Sequence, residues 1–249
     1  MKPYVTLKIL EKVGYIEFFN PPHNALTPNL LNDLTSLINS AAIDNKIHII
    51  VLKSGGDRAF CAGASFNQMV EISDEVEGKS FFMGFANVIN ALRKCPKIII
   101  GSIQGKAVGG GVGLASAVDI CFATEFADIK LSELSVGIGP FVIEPAVKRK
   151  IGVSAMSQLA LKAQTFFSAK WAMEKGLYAN VFESNNELIR EVQLLALELS
   201  TYNINSLAAF KRIQWEGTDD WDKILESRAQ LSGKMSLSPK AKSYLKKFI

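Results

Sequence analysis

The chain has 249 residues, 48% of them hydrophobic and 21% charged, which predicts a soluble globular protein of one large domain or of a core with an appended helical part. Its net charge of +4 is too small for a nucleic-acid footprint, although it suits an anionic ligand. Three cysteines, Cys61, Cys95 and Cys121, form no CxxC pair, which excludes a disulfide framework and points to a reducing, cytoplasmic compartment.

Met1-Lys2-Pro3-Tyr4 runs straight into a strand pattern, so no signal peptide is expected. Tyr4 to Leu10 and Val13 to Phe19 alternate apolar and other residues around Glu11-Lys12, the pattern of a β-hairpin. Pro21-Pro22-His23-Asn24 interrupts. Thr27 then reads as an N-cap and Pro28 as the first helical residue. Leu30, Leu31, Leu34, Leu37, Ile38, Ala41 and Ala42 line one face of the helix that follows. Ile47 to Leu52 reads as a buried strand, with His48 as a core histidine, and Lys53 to Arg58 as a loop. Ala59 to Ser65 is a run of small residues that brings backbone close to a neighbour or ligand. Phe66 to Glu77 is weakly patterned, which predicts mobility. Phe81 to Leu92 is helical.

Ile98 to Ile103 is a β-branched strand that leads into Lys106 to Asp119, the stretch KAVGGGVGLASAVD. Strand, glycine turn and helix is the predicted shape. Such a turn either packs closely or presents unpaired helix N-terminal N–H groups to an oxygen bearing negative charge. Strands follow at Val118 to Ala123 and Ile129 to Leu131, then a loop from Glu133 to Pro140. From Glu144 onward the pattern is helical: Ala155 to Leu161, Ser168 to Lys175, Asn186 to Leu199, Ser206 to Gln214, Trp221 to Met235 and Pro239 to Ile249. Strands mixed with helices in front and helices behind make an α/β protein with a helical tail.

Several motifs fail on inspection. Gly101 to Lys106 is one residue short of a phosphate loop, and Ala107 stands where a hydroxyl would bind magnesium. Gly111-Val112-Gly113-Leu114-Ala115-Ser116 misses the dinucleotide fingerprint in its last position. No GxSxG is present, and two histidines, His23 and His48, leave little scope for a metal site; none is expected. His23 reads as an exposed loop residue and Cys61 as an inert buried thiol, with ligand contact and nucleophile as the rival readings. Lys240, Lys242, Lys246 and Lys247 read as a solvated helix face. Ile98 to Ile120, the longest apolar region, is broken by Gln104, Lys106, the glycines and Asp119, so no membrane span is expected.

Three ordered segments together resemble the crotonase superfamily, the enoyl-CoA hydratase/isomerase family. They are Arg58 to Ser65, Gly105 to Gly111 followed by Asp119-Ile120, and Leu131 to Ile138. The resemblance runs from about Tyr4 to Ala179. It implies a spiral of repeated ββα units over residues 1–185, with the acyl-CoA site, and a helical region over 186–249 that covers the site and makes oligomer contacts. It also implies a homotrimer or dimer of trimers. The ligand would be an acyl-CoA thioester, with coenzyme A part of the substrate and no separate cofactor. The N–H groups of Ala64 and Gly110 would hold the enolate oxygen. Ala62, Gly63, Ala64, Ser65 and Phe66, with Gly109 and Gly110, would line the coenzyme A site.

Departures from the family pattern carry more information than the matches. Family hydratases use two glutamates. One matches Glu133; the position of the other is Gly113. A single carboxylate suits double-bond migration, because one group can move a proton from the α-carbon to the γ-carbon. Gly137-Ile138-Gly139-Pro140-Phe141 also resembles the family isomerases. An enoyl-CoA isomerase is therefore expected. The alternatives are an enoyl-CoA or methylglutaconyl-CoA-type hydratase, another enolate reaction such as thioester hydrolysis or decarboxylation, and a non-catalytic or RNA-binding member of the fold. Glu144 is either a second carboxylate or a helix N-terminal acid favoured by the dipole. Ser65, where aspartate is usual, alters a loop contact.

Overall fold

A computed structural model describes residues 2–248. The hairpin comes first: β1 (Tyr4–Leu10) and β2 (Val13–Phe19) pair antiparallel, with Leu10 opposite Val13. Glu11 and Lys12 both take positive φ, 47° and 67°, as a two-residue turn matching the strand twist requires. Helix α1 (Pro28–Ile43) is capped as expected, Thr27 accepting the Leu30 N–H, and buries Leu30, Leu31, Leu34, Ile38 and Ala41.

The chain then winds in similar turns. The first comprises β3 (Ile49–Ser54), β4 (Ala59–Cys61), α2 (Phe66–Glu71) and α3 (Glu75–Lys94). The second comprises β5 (Ile98–Ile103), β6 (Lys106–Val108) and α4 (Gly110–Ala117). The third comprises β7 (Ile120–Thr124), β8 (Ile129–Lys130) and α5 (Glu133–Val136). Each turn adds one strand to a large sheet and one to a small sheet. Then follow α6 (Glu144–Leu161), α7 (Ala169–Glu174), β9 (Asn180–Phe182), α8 (Asn185–Ser200), α9 (Ile204–Gln214), α10 (Trp221–Ser236) and α11 (Pro239–Leu245). The large sheet has the order β1-β2-β3-β5-β7-β9, parallel after the hairpin; the small sheet is β4-β6-β8.

β5 lies between β3 and β7, covered on both faces, which is why it reads as an unbroken apolar run. On one face Val13, Ile49, Val51, Ile98 and Ile100 pack under Leu188, Val192 and Ala196 of α8. The other face joins the main core with α1, α3, α4 and α10. A buried ion pair ties the tail to this core. Lys211 on α9, 2% exposed, meets Asp119 Oδ2 at 2.8 Å and donates to the carbonyls of Leu92 and Lys97. Trp215 Nε1 donates to the other Asp119 oxygen at 3.1 Å.

Four expectations need correction. Ala59 to Cys61 and Lys106 to Val108 are strands, too short to show a period of two. Glu133 to Val136 is a helical turn, ended by Gly137 in the left-handed region, and not a loop. Residues 180–182 interrupt the helical half with an edge strand. Residues 66–77, weakly patterned in sequence, form α2 and the start of α3. Lys242 is half-buried and not merely part of a solvated face: its Nζ donates to the Val70 carbonyl at 2.8 Å and to that of Ile72, clamping the end of α2 to α11. The last helix ends at Leu245, with a 3-10 turn over Lys246–Phe248; Ile249 lies outside the described residues. No helix among the described residues is long and apolar enough to cross a membrane.

Candidate active site

The small sheet carries the site. β4 and β6 run parallel, so the segments after them, Ala62 to Ser65 and Gly109 to Gly111, leave the sheet side by side. Asn24, buried, holds the first segment from beneath, its Nδ2 donating to the Gly55 and Ala59 carbonyls at 2.8 Å each. Leu26 then bridges Ala64. Its N–H goes to the Gly63 carbonyl at 2.8 Å, and its carbonyl takes the Ser65 N–H at 3.1 Å. Successive N–H groups in an extended segment point to opposite sides. The Ala64 N–H therefore faces away from Leu26, and no backbone carbonyl among the described residues accepts it.

The second segment turns at Gly109, whose φ of 54° and ψ of −119° no L-residue adopts easily. Gly110 opens α4, so its N–H has no partner within the helix. A Cβ on Gly110 would lie 2.1 Å from Phe85 Cε1, so the α3 ring packs directly on that backbone. Gly111 is equally tight against the Cys61 carbonyl, at 2.5 Å from its would-be Cβ.

Glu133 stands over this turn. Its Oε1 is 2.8 Å from where a Gly109 Cβ would project. The residue keeps partial exposure, but Oε2 is shut off from solvent and has no hydrogen-bond partner. Burial pushes its carboxyl up to about 7, its own backbone N–H opposing.

These groups border one cavity of about 60 Å³. Ala62, Gly63, Ala64, Phe66, Gly109, Gly110 and Glu133 all line it; Ser65, at the start of α2, does not. The rest of the wall is largely apolar, with Phe82, Phe85, Val142 and Ile143 prominent. Sequence reading missed Ile143. A Cβ on Gly113 would lie 2.4 Å from Ile143 Cγ2, so an isoleucine fills the space above that glycine. It also missed Asn24, for which the break at Pro21 to Asn24 was the available signal.

Other candidates lie elsewhere. Glu144 opens α6 and pairs with Lys148 at 2.8 Å and Arg228 at 4.0 Å, and it does not line the cavity. Cys61 is buried in β4, its thiol pushed up to about 12 by burial, and its Sγ accepts the Gly63 N–H. His23 is exposed, only its carbonyl engaged, by the Ala62 N–H. His48 lies just before β3, its Nδ1 at 3.1 Å from the Ser200 carbonyl.

The arrangement comprises two unshared N–H donors, one desolvated carboxyl and an apolar wall. The chain as a whole is similar to known proteins. The family model for enoyl-CoA hydratase/isomerase matches residues 8–247. A probable enoyl-CoA hydratase of Bacillus subtilis (strain 168) is 26% identical over 98% of this chain and 95% of that protein. The peroxisomal Delta(3,5)-Delta(2,4)-dienoyl-CoA isomerase of Arabidopsis thaliana is 29% identical over 79% of this chain and 76% of its own. The crystal structure of enoyl-CoA hydratase from Bacillus halodurans superposes with a TM-score of 0.90 over 98% of this chain and 99% of that one, at 22% identity, and shows the shared fold. The chain belongs to the enoyl-CoA hydratase/isomerase family, within the crotonase superfamily of enzymes.

Proposed function

We propose that this enzyme is an enoyl-CoA isomerase, which moves a double bond between the β,γ and α,β positions of an acyl-CoA thioester. Glu133 removes the α-proton, and the electron pair passes onto the thioester oxygen as an enolate. The Ala64 and Gly110 N–H groups hold that oxygen, a contribution of about 3–4 kcal/mol for a well-placed donor. Collapse of the enolate draws the same proton from Glu133 to the γ-carbon, so nothing is added or lost. Coenzyme A lies along Ala62 to Phe66 and needs no further cofactor. The helices of 186–249 cover the site and make the contacts of a cytoplasmic homotrimer or dimer of trimers.

One observation carries this reading: Ile143 occupies the space above Gly113, which leaves Glu133 as the only carboxylate bordering the cavity among the described residues. Positioning and deprotonating water while protonating carbon asks for a second group. Hydration is the rival reading, favoured by relatives whose names carry it. The test is incubation with matched β,γ- and α,β-unsaturated acyl-CoA thioesters, with products identified by mass. Migration without mass gain supports the isomerase; addition of water refutes it.

A further inference from the structure

Two buried polar atoms at the cavity lack a partner, and the proposed reaction uses one of them. The first is Glu133 Oε2; the second is Ser232 Oγ, on α10, in a residue 1% exposed. A buried hydroxyl without a partner is costly, and helical serines commonly avoid this by bonding back to their own helix. Ser227 and Ser236 on α10 do so, Ser227 Oγ donating to the Ile224 carbonyl at 2.8 Å and Ser236 Oγ to the Gly233 carbonyl at 2.7 Å. Ser232 does not. It does not serve Glu133 either, since neither Oγ nor Oε2 has a partner.

The helix crossing sets Ser232 in place. Gly233 and Gly78 bring α10 and α3 into backbone contact; a Cβ on Gly233 would fall 2.5 Å from the Gly78 carbonyl carbon. Ser232 thereby joins the cavity wall to which α3 contributes Phe82 and Phe85. A single hydroxyl in such a wall discriminates strongly, because a ligand that cannot bond it leaves it buried and unpaired.

We infer that the Ser232 hydroxyl donates a hydrogen bond to an oxygen carried on the acyl chain. The substrate is then an acyl-CoA bearing a hydroxyl, carbonyl or carboxylate along its chain, not a plain hydrocarbon thioester. This rests on the acyl-CoA reading of the cavity. Calorimetric binding of saturated, unreactive thioesters tests it apart from catalysis: hexanoyl-CoA, its oxo- and hydroxy-substituted counterparts, adipoyl-CoA and free coenzyme A.

The wild-type chain is expected to bind at least one oxygenated thioester about fivefold to tenfold tighter than hexanoyl-CoA. Ser232→Ala, a small change in a packed helix, should erase that preference while hexanoyl-CoA and free coenzyme A bind as before. No preference in the wild type, or one that survives Ser232→Ala, overturns the inference. Weaker binding of free coenzyme A by Ser232→Ala also overturns it, by placing the hydroxyl on the pantetheine arm. Failure of every thioester and of coenzyme A itself to bind would remove the acyl-CoA reading, and this inference with it.

Discussion

Replacing Glu133 by Gln should remove turnover and stabilise the protein, and the gain should depend on pH. The carboxyl is pushed from an ordinary 4.5 to about 7 because burial penalises its charged form. Below pH 4.5 the group is neutral in folded and unfolded chains alike, and the carboxyl imposes no penalty. Between 4.5 and 7 the unfolded chain ionises first, so stability falls as pH rises. Above 7 the penalty is complete, at about 3.5 kcal/mol from a spacing of about 2.5 pH units at ~1.4 kcal/mol each. Glutamine has a similar shape and no charge to desolvate. For a chain of this length the gain corresponds to roughly 7–14 °C in melting temperature. Thermal unfolding of both proteins at pH 5 and pH 8 is the assay, and the variant's advantage should be present mainly at pH 8. Turnover by the wild type should fall tenfold per pH unit below about 7, as the base takes up its proton. An advantage of equal size at both pH values would refute the buried-carboxylate argument. Retained turnover by Glu133→Gln would remove that residue from the mechanism.

Three further outcomes follow from the packing. Gly113→Glu alone should destabilise the chain by about 1–3 kcal/mol, since its Cβ meets Ile143 Cγ2 at 2.4 Å; denaturant melts should show Gly113→Glu/Ile143→Ala recovering much of this, and mass analysis should find hydrated product from the double variant only. Lys211→Met should cost about 3–5 kcal/mol in urea unfolding, because it leaves Asp119 partly buried without its cation. Cys61, buried with its thiol pushed up to about 12, should resist alkylation at pH 7.5 in the folded protein and react only on unfolding, as mass spectrometry of its peptide can follow.

Local chemistry made much of the site legible. Thr27-Pro28 announces a helix start in any context, and the alternation in Tyr4 to Phe19 specifies a half-covered hairpin, because each depends only on near neighbours. The glycines from Gly109 to Gly111 were readable for the same reason: consecutive residues without Cβ mark backbone that something approaches closely. What approaches is not a local matter. Phe85 is 25 positions before Gly110, and Ile143 is 30 positions after Gly113; neither pairing leaves a trace in spacing. Strands of two or three residues, such as β4 and β8, are too brief to show a period and exist because longer neighbours hold them in register. By itself the sequence determined the longer helices, α1 and α8 among them, and the places where consecutive residues lack a Cβ. Tertiary structure alone decided that Glu133 Oε2 is shut from solvent, that Ile143 fills the space above Gly113, and that Ser232 is left with an unpaired hydroxyl in the wall. Burial is the reason: it is set by groups distant in the chain, and it fixes both the proton affinity of a carboxyl and the cost of a hydroxyl without a partner.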